Sequence, residues 1–322
     1  MSSMASKTKL GLQAGGRPPV AVEIAPEGVL AAAIPGPGQA PVYAFQALPA
    51  GAVLPGIGEA NLKSPEVVAE AIRSTLGLVS PRTRSVTLVL PDTVVRVFVL
   101  DFDSLPTKAA EAFPVLRFRL RKMVSFDVEH AGLSYQILQE SKRECKVLAA
   151  VLPGPVLAEY EAAVRAAGYE PGAVLPSGLA ALEAGNVEDQ MEALLIANLS
   201  DLALTTSITN GQDLLLYRTL ELPDDAGLRV REVQRGIAVA AAYYEDKLGA
   251  RARRLFLSHH YGTGSVPGAY ARSESGVEAF ARWIDDPELT VVELAPRPET
   301  GALTALGNTS IAGVAGALAG VR

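Results

Sequence analysis

The chain has 322 residues, of which 49% are hydrophobic and 20% charged, and its formal net charge is -6. That length accommodates about two domains with substantial cores, and the balance of apolar and charged residues excludes wholesale disorder. Basic residues are scattered apart from residues 117–122 and 251–254, which excludes a nucleic-acid footprint across the whole molecule.

Residues 1–18 are small, polar and glycine-rich, and read as a flexible tail. A hairpin is predicted next: an apolar run from Val20, a turn at Pro26, Glu27 and Gly28, a second run to Ile34, and a Pro-Gly turn at 35–38. An alternating strand over 42–48 follows. Ser64 as N-cap, Pro65 at the first helical position and Val68, Ile72 and Leu76 on one face predict a helix that ends before Gly77. The continuous apolar run 86–90 predicts a strand buried on both faces, as in a mostly parallel sheet.

Between about 91 and 150 the pattern changes to strand, helix, strand, strand, and this module reads as an insertion. Its helix, 107–122, carries Pro114, where a kink or restart is expected. Helices follow over 155–167 and 176–184, and then residues 194–217 read as strand, polar turn, strand, Asn210-Gly211 turn, strand. The connector 185–190 is the expected boundary between halves. A long helix over 228–248, a strand from Arg254, a helix over 275–284, a strand over 291–294 and a closing small-residue helix over 304–321 complete the chain. Two hairpins about half a chain apart predict a duplicated α/β fold with a cleft between the halves.

Single residues add little. Cys145 is the only cysteine, which excludes an internal disulfide. The charges beside it allow a partly exposed thiol, although no neighbouring His argues for chemistry. His259 and His260 point to opposite sides if they lie on a strand, so a cleft filler or a structural turn is preferred to a metal site. No apolar run is long enough to span a membrane and the N-terminus lacks a signal core, so a cytoplasmic protein is expected.

The order of segments resembles the PilM-type proteins of type IV pilus assembly, in the actin-like group that includes FtsA. The stretches that carry the resemblance are 90–106, 129–138, 149–168, 231–235, 243–249 and 254–258. It implies an α/β, duplicated actin-like (ribonuclease H-like) fold, with residues 19–185 and 186–322 as halves and the small α+β subdomain at about 91–150. It also implies a nucleotide cleft, and a groove for the N-terminal cytoplasmic peptide of an inner-membrane PilN-like partner. The protein would then be recruited to the inner face of the cytoplasmic membrane, and self-association is a further expectation.

An actin-like ATPase cradles phosphates on Asp-x-Gly turns, where backbone N–H groups approach the phosphates and a carboxylate holds hydrated magnesium. Here Glu23, Ile24, Ala25 and Pro26 stand at the first turn, Asn198, Leu199 and Ser200 at the second, and His259 and His260 where a Gly-Gly pair is expected. Two readings stay open. In one the cleft has drifted into a packing seam, catalytic residues and metal ligands are absent, no cofactor binds, and the protein is a scaffold. In the other it remains an ATP-binding ATPase or a sugar-kinase-like enzyme, with ATP and Mg held by Glu23, Ser200, Asp201, Glu232, Arg235, Gly262 and Gly264. The partner groove is placed at Phe113, Leu116, Phe118, Leu120 and Arg121, beside a basic rim that faces a membrane surface or an acidic partner tail.

Overall fold

The structure, a computed structural model, describes residues 16–58, 60–79, 81–141, 143–185, 193–211, 213–260, 276–296, 298–306 and 309–319. Two five-stranded sheets share one plan. In the first, β1 (Val20–Ala25), β2 (Gly28–Ala33) and β3 (Val42–Ala47) form an antiparallel meander, and β4 (Ser85–Leu90) and β8 (Glu170–Pro176) extend it in parallel, giving the order β3-β2-β1-β4-β8. In the second, β9 (Leu194–Ser200), β10 (Ala203–Asn210) and β11 (Asp213–Glu221) form the meander, and β12 (Arg254–His260) and β13 (Thr290–Glu293) the parallel wing, in the order β11-β10-β9-β12-β13. The repetition matches the two hairpins read in the sequence.

The parallel strands need crossovers, which helices supply. Helix α1 (Pro65–Val79) buries Val68, Ile72, Leu76 and Val79 against the first sheet and runs through Gly77 instead of stopping there. Helix α3 (Gly154–Ala166) adds Val156, Tyr160 and Val164 to the same core. Helix α5 (Ala226–Leu248) starts at Asp225, whose side chain accepts the Leu228 N–H, and stops at Gly249 with φ 69°. The short α6 (Gly276–Ala281) buries Phe280 in the second core.

The insertion between β4 and α3 is β5 (Arg96–Phe102), α2 (Ala109–Leu120), β6 (Gly132–Glu140) and β7 (Cys145–Leu152), with sheet order β5-β7-β6 and a core of its own. One helix runs through Pro114 without a restart, and the proline lacks the N–H for one backbone hydrogen bond there. Cys145 is buried in this core, contrary to the partly exposed thiol expected, and burial and Glu140 raise its pKa.

Helices α4 (Ser177–Gly185) and α7 (Ala312–Ala319) cross between the halves. A Cβ on Gly316 would lie 1.8 Å from the Ala180 carbonyl oxygen, so only glycine permits this approach. Their apolar cluster joins Ala21, Leu30 and Val89 of the first half to Leu194, Ile196 and Leu294 of the second. Helix α7 is shorter than the sequence pattern predicts because the segment before it is held against β3, where Ala302 bridges Tyr43 and Thr304 Oγ1 donates to the Phe45 carbonyl. Arg17, assigned to the tail, is buried and faces Glu183 at 3.9 Å. The boundary expected at 185–190 falls, apart from Gly185, outside the described residues.

Candidate functional site

The C-terminal ends of β1, β4, β9 and β12 converge at the cleft between the halves, where an α/β sheet presents ligands or their substitutes. Asp92 sits in a 3-10 turn directly after β4 and is the hub. Its Oδ1 accepts the Gly178 N–H (2.8 Å) at the start of α4, and its Oδ2 accepts from Asn198 Nδ2 (2.9 Å) and Thr205 Oγ1 (2.7 Å) across the cleft. A carboxylate of the chain itself thus lies on the helix N-terminal amide, a position that favours an anion.

Glu23, at the turn end of β1, accepts a hydrogen bond from Ser177 Oγ (2.7 Å) and lies 3.4 Å from His260 Nε2. The other imidazole nitrogen of His260 is 3.1 Å from Glu27 Oε1. All three groups are buried, with 3%, 5% and 8% exposure of the Glu23, His260 and Glu27 side chains. Burial is the largest influence on both titrating partners. It raises Glu23 above the ordinary carboxylate range; at His260 it acts downward, but Glu23, Glu27 and Asp92 outweigh it and lift the imidazole to about 9. His260 thus lies between the carboxyl groups of Glu23 on β1 and Glu27 in the turn that follows.

This network fills the space. A cavity of about 40 Å³ remains among Glu23, Pro26, Asp92, Asn198, Ser200 and His260, close to the room of one water, whereas small-molecule sites occupy roughly 300–1,000 Å³. Four carboxylates, Glu23, Glu27, Asp92 and Asp201, also line it, and their negative charge opposes a polyphosphate.

Of the residues expected to hold a nucleotide, Glu23, Ser200 and Asp201 line this cavity, and Glu232 and Arg235 do not. Glu23 lies in the cleft but is engaged as described. Ser200 Oγ accepts the Leu202 and Ala203 N–H groups and so holds the β9–β10 turn. Asp201 faces Arg229 at 3.7 Å. Glu232 and Arg235 pair with each other at 2.6 Å on α5. Gly262 and Gly264 lie outside the described residues.

The five groove residues of α2 do not share one surface. Leu116 and Leu120 are fully buried in the inserted core, Phe113 stacks edge-on against Tyr135 (5.4 Å), Phe118 is exposed, and Arg121 pairs with Glu129. A groove does exist nearby. It has a volume of about 550 Å³ and lies between the inserted sheet and the first half, lined by Arg17, Val95, Leu133, Tyr135, Leu157 and Leu175. Its two walls include β6 and β8, both edge strands. The sequence hid this groove because its lining comes from segments far apart in the chain.

Paired five-stranded sheets of identical order, two helices crossing between them and a cleft at the strand ends define an actin-like fold with an inserted α+β subdomain. Its cleft is filled by the chain's own side chains. Among solved structures, the chain is similar to the PilM-PilN type IV pilus biogenesis complex, with a TM-score of 0.67, 19% identity, and coverage of 94% of this chain and 98% of that one. Weaker likenesses are to the cytoplasmic domain of EpsL, an inner-membrane component of the type II secretion system of Vibrio cholerae (TM-score 0.46, 12% identity, 82% and 93% covered), and to a Bacteroides thetaiotaomicron protein of actin-like ATPase fold and unknown function (TM-score 0.46, 11%, 86% and 91%). No protein-family model matches the sequence. A comparison with curated proteins finds no match either.

Proposed function

We propose that this chain is a peptide-binding scaffold of a type IV pilus or related secretion machine. It works at the inner face of the cytoplasmic membrane and holds the cytoplasmic N-terminal segment of a PilN-like membrane-anchored partner. The observation that carries this reading is the groove of about 550 Å³ beside the inserted module, bounded by two edge strands. An edge strand offers unpaired N–H and C=O groups, so an extended peptide gains main-chain hydrogen bonds while its side chains enter the apolar lining. No helix of the described residues is long and apolar enough to cross a membrane.

The cleft has a different role: it locks the halves together and takes no nucleotide. Asp92 already occupies the helix N-terminus, Glu23 and Glu27 both engage His260, and a triphosphate would have to displace all of them. Calorimetric titration with Mg-ATP should give no heat above dilution; saturable binding would restore the ATPase or sugar-kinase-like reading.

The peptide reading is tested by titrating labelled peptides from the cytoplasmic N-termini of PilN-like proteins and following anisotropy. Binding is expected, and Leu157→Arg at the groove wall should weaken it by more than about tenfold, since it places a charge in an apolar lining. Absence of binding by every such peptide, or binding indifferent to Leu157→Arg, overturns it.

A further inference from the structure

The outward face of α2 and the turn after it form an amphipathic surface that neither cleft nor groove uses. Val115, Phe118 and Met123 are 37%, 66% and 42% exposed, and Phe118 is the most exposed large hydrophobic side chain among the described residues. Val115 and Phe118 lie one turn apart on α2 and Met123 follows in the turn after it; Arg119 and Lys122 are also exposed. The opposite side, Ala112, Leu116 and Leu120, is sunk in the inserted core, so the helix is fixed with this face outward.

Charge and shape both indicate what meets it. Between residues 108 and 123 there are five cations, Lys108, Arg117, Arg119, Arg121 and Lys122, against the single carboxylate Glu111, in a chain whose net charge is -6. Lys108 lies near Glu111 and Arg121 near Glu129, while no described carboxylate pairs with Arg119 or Lys122. Val115, Phe118 and Met123 line neither the cleft cavity nor the groove between the inserted sheet and the first half. A convex helix face with aromatic and aliphatic tips between Arg and Lys heads matches a bilayer surface instead: the apolar tips enter the acyl boundary while the cations meet anionic headgroups.

We infer that the α2 face is a membrane-surface contact for bilayers carrying anionic phospholipid. The inserted module would then meet the bilayer by itself, whether or not a peptide occupies the groove.

The test is co-sedimentation of the full chain with vesicles of phosphatidylcholine alone and of phosphatidylcholine mixed with phosphatidylglycerol. Binding to the mixed vesicles is expected at low salt, with little to the neutral ones, and should fade as salt is raised. Arg119→Glu combined with Lys122→Glu should weaken it by more than about tenfold, and Phe118→Ser by about fivefold. All of these positions are exposed, so circular dichroism should show the fold retained. Arg165→Glu, an exposed change on α3, should leave binding unaltered. Failure of the wild-type chain to bind mixed vesicles overturns the inference, as does equal loss with Arg165→Glu. Competition by soluble polyglutamate together with indifference to Phe118→Ser would also overturn it, and would assign the face to an acidic protein partner. None of these outcomes bears on peptide titration at the groove.

Discussion

Asp92 joins four segments through one carboxylate: its own turn, the start of α4, β9 and β10. Replacing it by Ala leaves the Gly178 amide, the Asn198 amide and the Thr205 hydroxyl buried with fewer partners. We expect Asp92→Ala to cost about 3 kcal/mol in urea denaturation, because each unsatisfied buried donor costs roughly 1–3 kcal/mol; a cost below about 1 kcal/mol would show the hub to be dispensable. His260 gives a pH signature. Its folded pKa, about 9, exceeds the ordinary 6.5, so its contribution is fully present below about pH 6.5 and is lost as pH rises through about 9. Glu23, which burial also raises, changes stability in the same direction. The groups facing the imidazole are all carboxylates: Glu23 from β1, Glu27 from the adjoining turn and Asp92 after β4. Thermal melting should therefore fall between pH 7 and 10, and His260→Gln should flatten that fall. A wild-type profile as flat as the variant's would remove His260 from the account. Sequence alone identified Asn198 and His260 as departures from a phosphate-binding pattern but gave no sign that they had become partners in a new network.

At the level of elements, α4 and α7 carry the joint between halves. Gly316 sits where any side chain would strike the Ala180 carbonyl, so Gly316→Leu must push the helices apart. A loss of about 3 kcal/mol or more is expected, as overpacking against backbone exceeds the roughly 1–3 kcal/mol typical of core enlargement; an unchanged melting temperature would mean that α7 can move freely. Most elements were legible because a single face had to be buried: the period of α1 and α5 and the Asn210-Gly211 turn fixed their type. Strand β8 was not. Pro171 and Gly172 disguise it, yet an edge strand tolerates a proline, and Gly172 is the extra residue of its bulge against Val86 and Thr87. The burial of Leu116 and Leu120 in the inserted core was hidden for a related reason. Apolar residues on an amphipathic helix identify a buried face, and whether that face meets a partner or the chain's own sheet is not written in their spacing.

For the whole molecule, the shared apolar cluster and the polar network make the two halves one unit. Calorimetry should show a single unfolding transition despite the duplicated architecture, because neither half keeps the α4–α7 cluster when its partner unfolds; two resolved transitions would show the halves to be independent. What the sequence determined by itself was the architecture: alternation, apolar runs and turn residues are local, and they repeat half a chain apart. What only the tertiary structure decided was which side chains meet in the cleft and where a groove lies. Glu23, Asp92, Ser177, Asn198 and His260 are far apart in the chain, and their chemistry depends on burial and on mutual distances that no local pattern encodes.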